Sequence, residues 1–223
     1  MEEYYRQRAD EYEEIYGRDD PVRQREQRGI AEALRETFRG RNVIEIACGT
    51  GFWTYYLSET ALRITGTDIL EDVLEIAGRK QYGCPVTFCM ADAYNLAFRD
   101  KVFGGGVAGF WFSHIPKDQI DSFIDGLHRI LKDGAKVLMA DNVYIPGIGG
   151  ELVKREHDEN TYKLRKLKDG SEYLVLKNYY TVAELTEIYS RHVSSFKMSN
   201  IFTGNCFWHL IYEVKGIETS PRQ

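Results

Sequence analysis

The sequence predicts an α/β fold with a mostly parallel sheet of seven strands. Three observations predict it. Short apolar runs alternate with helical segments up to residue 142, a glycine-rich turn directly follows the first of these runs, and the end of the chain has the pattern of an antiparallel hairpin. Alternating strands and helices favour a parallel sheet with helices on both faces. In such a sheet, ligands bind at the carboxyl ends of the strands.

The first strand and its glycine turn give the strongest signal. Residues 42–47 are a buried-strand run containing Glu45, and Gly49-Thr50-Gly51 follow just before a helix that begins at Phe52. Glycine lets the backbone approach a ligand closely. A nicotinamide fingerprint needs a third glycine so that the helix packs closely on the strand, and Trp53 falls where that packing would be tightest, which disfavours a pyrophosphate cofactor. The alternative is a tight strand-to-helix turn without a ligand.

Acids follow the next strands in a regular order. The second strand, 62–68, ends at Asp68 about 20 residues after the turn, where an acid accepts hydrogen bonds from ribose hydroxyls. The third strand, 85–90, precedes Asp92, and the fourth, 103–110, is rich in glycine, which in a strand marks close approach of a ligand or backbone. The fifth strand is 135–140. Helices are predicted over 22–39, 52–59, 69–80 and 117–132.

The pattern changes after residue 142. Residues 162–167 and 173–177 flank Asp169-Gly170, which predicts a β-hairpin. Thr181-x-x-Glu184 is a capping box that begins a helix to about Ser190. Two strands, 193–202 and 205–214, complete the sheet as an antiparallel C-terminal hairpin.

Composition limits the classes of function. A chain of 223 residues with 43% apolar content can bury one core, so one domain is the simplest interpretation. A net charge of −5 lacks the basic footprint of a nucleic-acid-binding protein. The four cysteines lack C-x-x-C spacing, no apolar run approaches the ~18 residues of a membrane span, and the charged N-terminus lacks a signal-peptide core. We expect a cytoplasmic protein without nucleic-acid or membrane partners, and the oligomeric state stays open.

Motifs in this order resemble those of class I S-adenosylmethionine-dependent methyltransferases. The resemblance rests on Glu45-Ile46-Ala47-Cys48-Gly49-Thr50-Gly51, with alanine at the usual first glycine, followed by Asp68 and Asp92. The opening YYRQRADEYEEIY and the exit Ser113-His114-Ile115-Pro116 resemble the bacterial small-molecule enzymes of this class. The resemblance implies a Rossmann-like fold, S-adenosylmethionine as cofactor, and methyl transfer to oxygen, nitrogen or carbon of a small molecule.

The resemblance also implies a division of the chain and a cofactor site. A single methyltransferase domain, 1–223, would comprise an N-terminal helical cap (1–40), a cofactor-binding core (42–142), a lid or substrate insertion carrying the small hairpin (143–180), and a C-terminal helix and hairpin (181–214). In several relatives an N-terminal tyrosine closes over the cofactor. The implied cofactor-binding residues are Tyr5, Tyr12, Tyr16, Glu45, Ala47, Gly49, Gly51, Asp68, Ile69, Asp92, Ala93, Phe110 and Trp111.

For catalysis, His114 is the first candidate base. It follows strand four, and imidazole titrates near neutrality, although a packed or helix-capping histidine is the alternative. Tyr144 is the second candidate, with Asp141 and His209 also considered. Catechol-type enzymes of this fold hold magnesium with an acid at the end of strand four. Gly109-Phe110 stands there, so we predict no metal.

The acceptor is less constrained by the sequence. Aromatic residues predicted near strand ends or in the insertion suggest an aromatic-walled pocket for a planar or apolar acceptor: Trp111, Phe112, Tyr144, Tyr179 and Tyr180. Arg155, Lys163 and Arg165 would favour an anionic acceptor if they pointed inward, whereas alternating charges are otherwise typical of a solvated hairpin face. Two rival functions stay open, a binding or scaffold protein with the methyltransferase fold but no turnover, and an NAD-dependent oxidoreductase.

Overall fold

The computed structural model describes residues 2–7, 13, 19–167 and 170–214. The helices of this part of the chain are α1 (Glu2–Gln7), α2 (Pro21–Thr37), α3 (Phe52–Ser58), α4 (Glu71–Gly78), α5 (Ile120–Ile130) and α6 (Val182–Ser190). Its strands are β1 (Asn42–Ile46), β2 (Arg63–Asp68), β3 (Val86–Met90), β4 (Phe103–Gly109), β5 (Leu131–Asn142), β6 (Leu152–Lys154), β7 (Thr161–Lys166), β8 (Glu172–Leu176), β9 (Ile201–Thr203) and β10 (Phe207–Glu213).

The main sheet has seven strands in the order β3-β2-β1-β4-β5-β10-β9. Strands β1 to β5 are parallel, and β10 pairs antiparallel with both β5 and β9. The predicted fold class is therefore confirmed. The strand order reverses between β1 and β4, and a crevice at the carboxyl ends of such strands is where an open α/β sheet binds ligands.

Two apolar cores lie on opposite faces of the sheet. Successive strand residues point to opposite faces, so Val43 packs with α2 and α3 while the adjacent Ile44 packs with side chains of α5 and α6. Both side chains are completely buried. Helices therefore cover both faces, as the alternating pattern predicts.

Local capping signals in the sequence specify two helix starts. The Asp20 carboxylate accepts hydrogen bonds from the Val22 and Arg23 backbone N–H groups at 3.1 and 3.0 Å, and Pro21 is the first helical residue of α2. Thr181 and Glu184 form the predicted capping box of α6. Both starts need only neighbouring residues, which is why sequence analysis located them.

Two element boundaries were wrong. The predicted helix 117–132 ends at Ile130, and β5 begins at Leu131, earlier than predicted. Backbone N–H groups of Lys101 and Val102 donate to the last carbonyls of α5, which brings Leu131 beside Phe103 of β4. Tertiary pairing therefore overrides helix propensity at this point.

The remaining corrections concern short strands. The insertion contains a three-stranded antiparallel sheet, β6-β7-β8, and not the predicted two-stranded hairpin. The sequence did not reveal β6 because this strand has only three residues, too few for an alternating pattern. The predicted strand 193–202 is limited to β9. Val193 and Phe196 are buried in the core from turns that follow α6, since their apolar side chains signal burial rather than extended backbone.

No helix in the described part of the chain has both the length and the apolar character needed to cross a membrane.

Candidate functional site

A cavity of about 480 Å³ lies at the carboxyl edge of the parallel strands. Its walls come from the turn after β1, the ends of β2 and β4, the segment after β3, helix α1 and the end of β8. This is the edge at which the sequence predicts a ligand. Ten predicted site residues line the cavity: Tyr5, Ala47, Gly49, Asp68, Ile69, Asp92, Ala93, Phe110, Trp111 and His114.

The turn after β1 has an unusual backbone. Ala47, Gly49 and Gly51 all have positive φ angles, of 52°, 55° and 81°. A Cβ atom on Gly51 would lie 2.3 Å from the Tyr82 hydroxyl oxygen and 3.2 Å from the Ala77 Cβ atom. Gly51 therefore lets α3 pack against α4, whereas Ala47 and Gly49 line the cavity. Alanine tolerates this left-handed conformation less well than glycine.

Asp68 connects the turn to the next strand. Its two carboxylate oxygens accept hydrogen bonds from the Gly49 N–H at 2.9 Å and the Leu70 N–H at 3.1 Å. Burial raises the pKa of Asp68, while these backbone hydrogen bonds oppose that change. The carboxylate lines the cavity and can accept further hydrogen bonds from a ligand's hydroxyl groups.

The segment after β3 forms the neighbouring wall. Asp92 lies on an exposed turn, and its Oδ1 atom accepts a hydrogen bond from the Tyr94 N–H at 2.9 Å. Ala93 and Ile69 line the same part of the cavity. Tyr94 lies beside Trp111, with ring centroids 6.2 Å apart. An acid and flat apolar surfaces are thus available together for a heterocyclic ligand.

The end of β4 adds aromatic surface. Phe110 has a φ of 61°, a conformation that costs roughly 1–2 kcal/mol for a residue with a side chain. Packing holds it there, because its ring stacks on Trp53 at 5.4 Å and meets Phe207 edge-on at 5.2 Å. Trp111 follows and also lines the cavity.

His114 is buried and hydrogen-bonded through both ring nitrogens. Nδ1 lies 2.7 Å from the Leu176 carbonyl oxygen, and Nε2 lies 2.9 Å from the Tyr5 hydroxyl. Because a carbonyl oxygen only accepts, Nδ1 carries the proton and Nε2 accepts the Tyr5 O–H. Burial and the positive charge of Lys177 lower the pKa of His114, and Asp141 opposes them. The imidazole is therefore neutral at physiological pH.

A buried ion pair lies behind His114. Lys177 donates to Asp141 Oδ1 at 3.0 Å and to Ser113 Oγ at 2.6 Å, and the side chains of this pair are only 5% and 1% exposed. Asp141 also accepts the Ser113 N–H at 2.8 Å. Burial lowers the pKa of Lys177. Burial alone would raise the pKa of Asp141, but the positive charge of Lys177, together with the other groups around the carboxylate, outweighs that effect, so the pKa of Asp141 is lowered. These contacts attach the end of β8 to the ends of β4 and β5.

Leu176 and Lys177 are site residues that the sequence does not reveal. Lys177 follows an apolar run of the insertion, and Leu176 contributes only its carbonyl group. Their partners are 36 to 64 positions away in the chain, and no local pattern marks those pairings.

Other candidate residues lie away from the cavity lining. Glu45 is buried behind the turn, where it accepts the Thr54 hydroxyl at 2.6 Å, and burial raises its pKa to about 7. Tyr144 is 41% exposed and packs against Tyr179 at 5.1 Å. Phe112 is buried in the core. Tyr12 and Tyr16 lie outside the described residues.

The cations of the insertion are partly engaged in its own structure. Lys163 Nζ donates to the carbonyl oxygens of Ile148 and Gly150 at 3.2 and 2.8 Å, and it lies 5.2 Å from the Tyr144 ring centroid. Arg155 lies over the Tyr162 ring at 4.4 Å. Among residues 2–7, 13, 19–167 and 170–214, no three His, Cys, Asp or Glu side chains form a metal-binding cluster. The prediction of no metal stays a prediction.

Comparisons with known sequences agree with this architecture. Residues 43–134 match the family described as a methyltransferase domain. The demethylmenaquinone methyltransferase of Staphylococcus epidermidis strain RP62A is 33% identical over 104 residues, which are 45% of this chain and 42% of that protein. The corresponding protein of Staphylococcus aureus strain MRSA252 is 30% identical over a stretch of the same coverage. The match thus spans less than half the length of these curated relatives.

Similar solved structures cover nearly the whole chain. The DhpI–SAH complex has 25% identity and a TM-score of 0.72, covering 99% of this chain and 96% of that one. Burkholderia thailandensis 1,6-didemethyltoxoflavin-N1-methyltransferase, with bound 1,6-didemethyltoxoflavin and S-adenosylhomocysteine, has 15% identity and a TM-score of 0.64, covering 96% and 87%. PH0226 from Pyrococcus horikoshii OT3 has 18% identity and a TM-score of 0.67, covering 92% and 99%. The last two likenesses show the fold alone.

Proposed function

We propose that the chain is a class I S-adenosylmethionine-dependent methyltransferase, as its sequence predicts, and that it methylates a small molecule bound in the cavity. One observation carries the proposal. The glycine turn, Asp68 and Asp92 line one side of a single cavity, and His114 lines the same cavity from the end of β4. A candidate cofactor-binding edge and a candidate acceptor-binding group therefore share one cavity.

The residues present fit S-adenosylmethionine, the predicted cofactor, which the complexes of similar proteins support. Asp68 would accept hydrogen bonds from the ribose hydroxyls, and Ala47 and Gly49 would lie along the methionine part. Asp92 and the Ala93 backbone would hold the adenine. When bound, the cofactor would supply an electrophilic methyl group. The chain itself positions and desolvates the reactants, and ideal positioning lowers the barrier by ~7 to 11 kcal/mol.

The other cavity walls suit a planar acceptor. Tyr5, Tyr94, Phe110 and Trp111 all line the cavity and present aromatic surface. Tyr144, Tyr179 and Lys163 instead cluster within the insertion, so their predicted part in the pocket has less support. An anionic acceptor stays the alternative, with Arg165 as the cation that would bind it. We also place the protein in the cytoplasm as part of this proposal.

Two features disfavour the rival functions. A G-x-G-x-x-G turn that begins at Gly49 needs its third glycine at position 54, where Thr54 stands, and Thr54 and the adjacent Trp53 are both buried. The Trp53 ring lies 3.3 Å from the position of a Gly109 Cβ atom. A binding protein without turnover would not need the neutral imidazole of His114 beside the cofactor-binding wall. Fold alone does not separate an enzyme from a binding protein, so the experiment must detect turnover.

Calorimetry and product detection together test the function. We expect S-adenosylhomocysteine to bind and NADH not to bind. We also expect the protein, labelled S-adenosylmethionine and a metabolite extract to form a labelled small molecule. Binding of NADH with no response to S-adenosylhomocysteine would support the oxidoreductase. Cofactor binding without a labelled product from several broad extracts would support the binding protein.

A further inference from the structure

The His114 imidazole presents a hydrogen-bond acceptor to the cavity. Its Nδ1–H is occupied by the Leu176 carbonyl oxygen at 2.7 Å, so Nε2 has a lone pair and no proton. The group now bonded to Nε2 is the phenol hydroxyl of Tyr5, at 2.9 Å. The two rings meet edge-on, with centroids 5.5 Å apart and an interplanar angle of 88°. A side chain of this protein thus shows which chemical group His114 binds.

The surrounding charges keep the imidazole in this state. The Tyr5 hydroxyl of α1 is hydrogen-bonded to the imidazole. Three charged side chains influence its pKa electrostatically: Asp141 of β5, Arg165 of β7, and Lys177, which directly follows β8. Lys177 directly follows Leu176 and is fixed by Asp141 and Ser113, so the same contacts hold the carbonyl that receives the Nδ1 proton. Lys177 and Arg165 both disfavour an imidazolium. We regard Lys177 as a positioning residue for His114.

From this geometry we infer that the acceptor is a neutral phenol or enol whose hydroxyl replaces that of Tyr5 on His114 Nε2. The inference rests on the proposed function and names its substrate class. A carboxylate or phosphate would instead place negative charge against the Nε2 lone pair, and Lys163 and Lys177 already donate to groups of the protein. The aromatic wall of Tyr94, Phe110 and Trp111 suits a flat ring.

The reaction that this binding mode allows is balanced. The acceptor's O–H proton moves to His114 Nε2 while its oxygen, or a conjugated carbon, forms a bond to the methyl carbon. The bond from that carbon to sulfur breaks, and S-adenosylhomocysteine leaves. The positive sulfonium charge is replaced by the charge of the protonated imidazole, which then releases its proton to water. Lys177 and Arg165 favour this release because they disfavour the imidazolium.

Small probes test the site without turnover. With the full chain saturated by S-adenosylhomocysteine, we would titrate phenol, anisole and benzoate and follow binding by NMR. Phenol should bind roughly tenfold more tightly than anisole, since only phenol donates a hydrogen bond to Nε2. His114→Phe should remove that discrimination while cofactor binding persists. Tyr5→Phe should strengthen phenol binding several-fold, because the competing hydroxyl is gone while the ring remains.

Several outcomes would overturn the inference. Equal binding of phenol and anisole, preference for benzoate, or weaker phenol binding in Tyr5→Phe would each do so, as would no probe binding to a protein that binds S-adenosylhomocysteine. If His114→Phe does not fold, a measurement on the wild type still tests the inference. There, ¹⁵N NMR should show the His114 Nδ1 atom protonated and the Nε2 atom unprotonated. The opposite tautomer would overturn the inference. If the wild-type protein does not bind S-adenosylhomocysteine, that result would instead contradict the proposed function.

Discussion

The two ends of the cavity are built differently. At the proposed cofactor end, the turn after β1 and Asp68 come from consecutive strands, and their contacts are largely between backbone groups and one carboxylate. At the proposed acceptor end, His114 depends on Tyr5, Leu176 and Lys177, which come from distant parts of the chain. Side-chain contacts from separate segments can change independently, so substitutions at the proposed acceptor end can alter the bound molecule while the proposed cofactor end stays the same.

The Lys177–Asp141 pair should give the largest effect on stability among the tests of this difference between the two ends. Lys177→Met leaves a buried carboxylate without its cation, so we expect a loss of ~3–5 kcal/mol in the free energy of unfolding. Urea denaturation measures it. The control is Lys101→Met, which breaks an exposed pair with Asp133 and should cost no more than ~1 kcal/mol. Similar losses in both variants would contradict the structural importance of the buried pair.

Gly51 tests the cofactor end through its backbone. Gly51→Ala combines a positive φ with a Cβ atom 2.3 Å from the Tyr82 hydroxyl oxygen, so we expect a loss of about 2–3 kcal/mol in stability and weaker binding of S-adenosylhomocysteine. Ala47→Gly is the matched change in the same turn. Glycine relieves the strain of a positive φ at position 47 but increases the conformational entropy of the unfolded chain. The two effects nearly cancel, so we expect the free energy of unfolding to change little. A stable Gly51→Ala protein with normal binding would refute this explanation.

Asp68 tests whether one carboxylate supports the cofactor. Asp68→Ala should weaken S-adenosylhomocysteine binding by about 1.5–3 kcal/mol, because a ligand hydroxyl loses a charged acceptor. Calorimetry measures the dissociation constant. Glu75→Ala, at an exposed site paired with Arg79, is the control and should leave binding unchanged. Phenol binding to the cofactor-free protein should change little in Asp68→Ala if the two ends act separately.

The pH dependence of stability tests the neutral state of His114. Its pKa is lowered in the folded protein, so below the ordinary value of about 6.5 only the unfolded chain takes up the proton. Stability should therefore fall as the pH decreases from about 6.5 to 5. His114→Gln should make that fall less steep by up to ~1.4 kcal/mol per pH unit. Urea denaturation at several pH values measures the slope.

Other groups contribute to the same slope and provide the comparison. Burial lowers the pKa of His128 to about 4, so His128→Gln should reduce the slope in the same direction. Burial raises the pKa of Glu45 to about 7, which gives a contribution of opposite sign that both variants retain. An unchanged slope in His114→Gln would show that His114 takes up protons equally in the folded and unfolded states.

The sequence by itself determined the α/β architecture and most of the cofactor end. The apolar runs give the strands, local residues cap α2 and α6, and Gly49, Gly51 and Asp68 lie within about 20 positions of each other. Parallel strands bring their carboxyl ends to one edge, so the positions of these residues follow once the strand order is known. Short-range pattern and sheet geometry were enough to bring these residues together, whereas their assignment to S-adenosylmethionine came from the resemblance to the methyltransferases.

Tertiary structure decided the acceptor end. His114 was a candidate because it follows β4, but its tautomer depends on Leu176, 62 positions away, and its Nε2 partner, Tyr5, is 109 positions away. The burial of Lys177 against Asp141 also crosses 36 positions. A lysine that directly follows an apolar strand has no sequence pattern that shows whether its charge is buried against a partner or exposed to solvent. The pairings of Leu176 and Lys177 form only when the insertion packs on the sheet, and that of Tyr5 forms only when α1 does. Tertiary packing therefore determines the charge, the tautomer and the hydrogen-bond partners of His114.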